Sequence, residues 1–180
     1  GVFKKHNIND LVMEVSSEGI LDGRIERLEF DGAIFTNLSH EHLNTHRTME
    51  QYFKTKTKLF ENLKKKALAV INSDDFYATE AIAHTKAKVV TYGINSGTYQ
   101  AKNIQLDVLS SSFDVFYKGM FLARFTLPLF GKYNIYNALA AIAYAHELGI
   151  DMKYIKEAIS SLPQIDGRFM HFKNKNNVPG

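Results

Sequence analysis

Lys56 lies where a lysine is not expected on a surface helix. At about 100° per residue, Met49, Tyr52, Phe53, Leu59, Phe60 and Leu63 all fall close to its bearing, while Lys54 and Lys58 point to the opposite face. An amine on an apolar stripe loses hydration, which favours its neutral, nucleophilic form unless an acid pairs with it; the alternative is a stem that snorkels along the core edge. Glu14 closes a short apolar run at residues 11–15. A carboxylate is costly to bury there unpaired, so it serves either as a hard oxygen ligand or as part of a cap or salt bridge. His40, His42 and His46 form a histidine-rich turn. His42 and His46 share a helix face, as zinc ligands would, yet His40-Glu41 does not complete a zincin motif because Asn44 stands where the second histidine belongs. Surface histidines are the other reading. Asn134 and Asn137, three apart with small Ala141 beneath, put two amides on one helix edge, each able to read a base edge through donor and acceptor together. Capping accounts for Asn134 but poorly for Asn137, which is already inside the helix.

These groups need a scaffold, and the pattern supplies an α/β one. Apolar runs at residues 11–15, 32–35 and 67–71 end in polar Ser16, Asn37 and Asn72 and alternate with helical patterns, as buried parallel strands in a βαβ arrangement do. In such sheets ligands gather beyond the carboxyl ends of the strands, where Ser16, Thr36, Asn37 and Asn72 would fall. The periodicity predicts a helix over residues 48–63. Over residues 99–129 the pattern changes to alternation, with turns at Ser110-Ser111 and Lys118-Gly119, and predicts a small antiparallel meander. Helices over 134–148 and 152–162 follow, separated by Gly149 as a C-cap and Asp151 as an N-cap. The expected fold is a mostly parallel sheet flanked by helices with the meander appended. The domain is expected over residues 1–173, with 174–180 a linker.

The 180 residues suffice for one domain with a real core, and 45% hydrophobic with 23% charged residues is ordinary for a globular chain. A formal charge of +3 with scattered lysines argues against nucleic acid. The absence of cysteine excludes disulfides and thiolate metal sites. The longest apolar stretch, residues 138–145, is far too short for a membrane span, and the expected location is the cytoplasm.

In chain order, Met13-Glu14-Val15-Ser16-Ser17, Thr36-Asn37-Leu38, His42 within Glu41-His42-Leu43-Asn44, Lys56 before Leu59-Phe60, the run from Gly131 to Ala141 with Asn134 and Asn137, and Gly167-Arg168-Phe169 resemble the central ATPase domain of the Mur ligases, most of all the UDP-N-acetylmuramoyl-tripeptide synthetases. The resemblance implies ATP-dependent amide bond formation in peptidoglycan-precursor synthesis. A precursor carboxylate is phosphorylated to an acyl phosphate and then attacked by an incoming amine. It implies that Lys56 is carbamoylated and, with His42, catalytic, and that Glu14, His42 and Lys56 bind magnesium (Mg2+). Ser16 and Arg24 would contact the substrate, UDP-N-acetylmuramoyl-dipeptide, and Asn134, Asn137 and Arg168 would contact ATP. Both acids flanking the family histidine are replaced here, by Glu41 and Asn44.

No G-x-x-x-x-G-K-[ST] phosphate loop occurs; the only Gly-Lys pair, Gly131-Lys132, precedes Tyr133. On the resemblance, that loop is expected before Gly1 and an amino-acid-binding domain after Gly180, so these 180 residues alone are expected to be inactive. A sheet lacking the phosphate-loop strand would have an open edge that invites association with another copy. A folylpolyglutamate or cyanophycin synthetase would share the architecture, although Met13 to Ser17 argues against both. A noncatalytic binding remnant of the fold is the alternative of another class.

Overall fold

The computed structural model describes residues 9–38 and 48–163. Their elements in chain order are α1 (Ser17–Leu21), β1 (Gly32–Phe35), α2 (Met49–Glu61), β2 (Leu68–Asn72), α3 (Ala78–Ala83), β3 (Lys88–Gly93), β4 (Tyr99–Leu106), β5 (Ser111–Tyr117), β6 (Met120–Leu127), α4 (Lys132–Glu147) and α5 (Met152–Ser160). The six strands form one sheet in sequence order. Strands β1 to β4 run parallel and β4 to β6 antiparallel. The α/β class and the meander therefore stand as expected.

Burial on both faces explains the composition of β2. Leu68 and Val70 enter a core shared with α4 and α5, while Ala69 and Ile71 enter a second core under α2 and α3. Two covered faces leave no position for a polar residue until Asn72 at the strand's end. The meander packs Tyr99, Ala101, Phe113, Val115, Ala123, Phe125 and Leu127 into the first core. The two-residue turn Lys118-Gly119 has positive φ at both positions, the geometry that matches strand twist in a tight hairpin. A bulge follows Lys102, where Asn103 takes φ 49, and beyond it the alternation of Leu106 and Val108 no longer buries side chains: they are 43% and 51% exposed.

Helix α4 begins two residues earlier than expected, at Lys132, because Gly131 at φ 101 turns the chain into the helix. At its other end Gly149 N–H reaches His146 O and Ile150 N–H reaches Ala145 O, a Schellman closure that only the left-handed Gly149 permits without strain. Asp151 then caps α5 by accepting from Lys153 N–H at 2.8 Å.

One expectation is corrected, and one strand was not anticipated. Residues 11–15 form no strand; Val12 is 98% exposed and no ladder reaches them, since β1 faces them across an open cavity instead of through hydrogen bonds. Strand β3, between β2 and β4, escaped the sequence reading. Its β-branched run Val89-Val90-Thr91 is bounded by Lys88 and Gly93, and it is too short to separate from a helix segment by period alone.

The lower end of α4 is tied to the sheet by a polar cluster. Tyr99 Oη donates to Glu147 Oε1 at 2.8 Å and lies 2.6 Å from His146 Nδ1, and Lys88 Nζ donates to Glu147 Oε2 at 2.6 Å. Burial alone would raise the Glu147 carboxyl, but hydrogen bonds from Lys88 and Tyr99, with the positive charge of Lys88, hold it below the usual glutamate range. A depressed folded value contributes stability above the unfolded value and loses it as pH falls through the folded one. Stability should therefore drop on acidification below about pH 4.5. Glu147→Gln should flatten that acid limb in denaturant titrations; an unchanged limb would show that the cluster carries no such linkage.

Candidate active site

Beside β1, and not lined by β2, lies a cavity of about 380 Å³. One wall is residues 11–15, another is β1 with Thr36 and Asn37, and α2 contributes Lys56, Leu59 and Phe60. At the far end Gly32 meets Tyr144 of α4, so closely that a Cβ would lie 2.2 Å from the phenol oxygen.

Glu14 and Lys56 line this one cavity with Thr36 and Asn37. The helical period singles out Lys56 correctly in structural terms: it is half-buried, its Nζ 5.0 Å from the centre of the Tyr52 ring one turn earlier, whereas Lys54 and Lys58 are exposed. Helix α2 is buried beyond its apolar stripe, however. Thr55 and Thr57 are also buried, with their hydroxyls returned to Gln51 O and Lys54 O, and α1 packs against the helix. Glu14 is exposed and makes no hydrogen bond or ion pair among the described residues. A carboxylate with no partner among the described residues is a hard oxygen donor of the kind magnesium takes, whereas the Lys56 amine as it stands offers no such ligand. No cluster of three histidine or acidic groups able to hold a metal occurs among the described residues.

Ser16 is the N-cap of α1, its Oγ accepting from Gly19 N–H at 3.1 Å. Arg24 lies beside it: a Cβ on Gly19 would sit 3.3 Å from Ser16 Oγ and 3.7 Å from Arg24 Cδ, so a glycine lets the two approach. The Arg24 guanidinium is well exposed and pairs with Asp22 at 2.8 Å. Ser17, not Ser16, is the buried serine of the pair.

At the start of α4, Asn137 is exposed, while Asn134 is partly covered and donates from Nδ2 to Phe130 O at 2.8 Å. The local bond is the capping role that the sequence allows for Asn134; Asn137 makes none among the described residues. His40, His42, His46, Arg168 and the 174–180 tail lie outside the described residues.

The sequence reading missed how these parts are held. Asn72-Ser73-Asp74-Asp75, at the end of β2, binds two loops and helix α4 at once. Asn72 Nδ2 donates to Thr36 O at 2.7 Å, and Asp75 Oδ2 accepts from Leu38 N–H at 3.0 Å, so the segment after β1 is pinned from both sides. Asp74 accepts from the backbone N–H groups of Ile94, Asn95 and Ser96 at 2.6, 2.9 and 3.0 Å, and from Tyr136 Oη at 2.8 Å. Burial would raise the Asp74 carboxyl, but these donors outweigh it and hold it below the usual aspartate range. Burial likewise pushes the Tyr136 phenol up to about 12, with the bond to Asp74 adding to the rise. A polar run directly after a fully buried strand was the available signal.

Comparison with known proteins accords with this geometry. Residues 2–145 match the family model described as the Mur ligase middle domain. The chain is 39% identical over 166 residues, 91% of its length, to the UDP-N-acetylmuramoyl-L-alanyl-D-glutamate–2,6-diaminopimelate ligase of Chlamydia abortus, and 42% identical over 160 residues, 88% of its length, to that of Caldanaerobacter subterraneus subsp. tengcongensis. It covers 34% and 32% of those two proteins, about a third of the relatives it matches. A solved structure of a ligase of the same name superposes with a TM-score of 0.78 at 28% identity, covering 90% of this chain and 34% of that one. The MurF ligase of Thermotoga maritima, solved in complex with ADP, shares the fold with a TM-score of 0.74 at 20% identity, over 87% of this chain and 36% of its own. With its six-stranded sheet, its cavity under β1 and a family model covering most of its length, the chain belongs to the Mur ligase family.

Proposed function

We propose that the full-length protein is an ATP-dependent ligase of peptidoglycan-precursor synthesis, joining an amino acid to UDP-N-acetylmuramoyl-dipeptide through an acyl phosphate. The observation that carries this reading is Glu14 and Lys56 lining one cavity beside β1, next to loops held by the end of β2. The names of the relatives favour 2,6-diaminopimelate as the amino acid added.

On this reading Lys56, carbamoylated on its neutral amine, Glu14 and His42 would hold magnesium, which would neutralise charge on the reacting phosphate and carboxylate oxygens. The residues present fit in part: the Glu14 carboxylate has no partner among the described residues, and the half-buried Lys56 amine lies over the Tyr52 ring. Ser16 and Arg24 would hold the precursor by its anionic groups, a hydroxyl and a guanidinium being suited to carboxylate or phosphate. Asn134, Asn137 and Arg168 would orient ATP from its adenine side. Most of the rate gain would then come from positioning and charge neutralisation. The domain would span residues 1–173, with 174–180 leading onward, and the location would be the cytoplasm; among the described residues no helix is long and apolar enough to cross a membrane.

The test is steady-state ligation by the full-length protein. Asn137→Ala removes an amide whose hydrogen bonds are each worth about 0.5–1.5 kcal/mol net, so the KM for ATP should rise roughly tenfold. An unchanged ATP affinity would leave Asn137 as a surface residue. The 180-residue chain by itself, with no phosphate loop to supply backbone N–H groups, should show no ATP hydrolysis with the precursor present. Turnover by that chain would overturn the division of labour proposed here.

A further inference from the structure

We propose that Tyr136 and Asp74 are a positioning pair, which fixes the Asn134–Asn137 edge of α4 relative to the strand ends and so sets the affinity for the nucleotide. The inference rests on the reading of that edge as the adenine side of the site.

Among the described residues, nothing else directional ties the first turns of α4 to another element. Its N-cap, Gly131, has no side chain to donate or accept, and the amide of Asn134 turns back to Phe130 within the same loop. Ile135, Ala138 and Leu139 are buried beneath the helix and hold its axis against the sheet. Apolar contacts are non-directional, however, and tolerate small slides and rotations that would carry an exposed amide away from a base edge. Tyr136 stands directly before Asn137, and its Oη donates to Asp74 Oδ2 at 2.8 Å, joining α4 to the end of β2 across 62 residues of chain.

The acceptor is itself immobile. Asp74 is held by three successive backbone N–H groups of residues 94–96 and by Ser96 Oγ at 3.2 Å. Gly93 and Gly97 allow that loop to close on it: a Cβ at Gly93 would lie 2.5 Å from Ser96 O, and one at Gly97 2.9 Å from Ser73 Oγ. A bond from the edge of α4 to a carboxylate already held by four donors of one loop transmits position. The same four-residue segment pins Thr36 and Leu38 through Asn72 and Asp75. The nucleotide edge and the loop beside the Glu14–Lys56 cavity are therefore referred to one rigid point. Tyr136 touches no reacting atom on this account; it acts through Asn137.

A double-mutant cycle in the full-length protein tests this, with ATP KM, kcat, precursor KM and thermal midpoint measured for Tyr136→Phe, Asn137→Ala and both together. Phenylalanine keeps the ring and deletes only the hydroxyl. Tyr136→Phe should raise the KM for ATP about threefold to tenfold, the loss of one hydrogen bond, with kcat and precursor KM within about twofold. In the Asn137→Ala background the same change should add less than about twofold, since the edge it positions is gone. Three results overturn the inference while leaving the nucleotide reading intact: an unaltered ATP KM in Tyr136→Phe when Asn137→Ala raises it, equal multiplicative effects in both backgrounds, or a fall in kcat and thermal midpoint with no selective change for ATP. An unaltered ATP KM in Asn137→Ala alone would remove the nucleotide reading itself, and this inference with it.

Discussion

Lys56→Ala should abolish ligation by the full-length protein, whereas Lys54→Ala and Lys58→Ala should leave kcat/KM within about twofold. The three lysines are chemically identical and lie within five residues, so only their surroundings separate them. Lys54 and Lys58 are exposed and solvated; Lys56 is half-buried, stacks its Nζ 5.0 Å from the Tyr52 ring and shares the cavity of Glu14. Carbon dioxide adds to a neutral amine, and a carboxylate made there would stand in the cavity where a cation is proposed. Lys56→Met keeps the apolar stem against Tyr52 and should be as inactive as the alanine variant with an unaltered thermal midpoint, which separates lost chemistry from lost packing. Added bicarbonate should restore nothing to either, because no amine remains to carry it. Equal losses at positions 54, 56 and 58 would show that helix charge matters and the cavity does not.

What the sequence revealed follows from how local each signal is. The 3.6-residue period distinguishes Lys56 from its neighbours because helix geometry is set within a few turns, and the Gly149 and Asp151 caps are legible for the same reason. The meander is legible from alternation and the Lys118-Gly119 turn. Residues 11–15 misled, because an apolar run reports burial potential and not a hydrogen-bonded neighbour; Val12 is almost fully exposed, and β1 faces this segment across a cavity with no ladder between them. The polar run Asn72 to Asp75 was visible after its strand, but its partners were not, for the opposite reason. Its bonds reach back to Thr36 and Leu38, and forward to residues 94–96 and to Tyr136. No periodicity encodes partners separated by 20 to 62 residues; only the topology that brings the ends of β1, β2 and β3 together does so. Glu14 and Lys56 fall on one cavity by the same topology, 42 positions apart, so the sequence could nominate each but not join them except through resemblance.

The hub makes a demand on backbone space that a single methyl group can test. Gly93→Ala should destabilise the protein by about 2–4 kcal/mol. The added Cβ would stand 2.5 Å from the carbonyl oxygen of Ser96 and 2.8 Å from Asp74 Cγ. Neither neighbour can yield cheaply. The Ser96 oxygen is backbone in a loop whose N–H groups are committed to Asp74, and the carboxylate is fixed by those N–H groups and by Tyr136. Relief therefore requires the loop to lift off Asp74, which adds partly unsatisfied polar groups to the steric cost. Gly119→Ala is the control. That residue has φ +82 but nothing within 4 Å of a Cβ, so its cost is conformational strain alone, about 1–2 kcal/mol. Urea denaturation at constant m-value would measure both. A Gly93 variant no less stable than the Gly119 variant would mean that the loop relaxes freely around Asp74. A large loss at Gly93 accompanied by weakened ATP binding in the fraction still folded would instead tie the fit of this loop to the nucleotide edge of α4, since Tyr136 can hold its helix only to a carboxylate that stays in place.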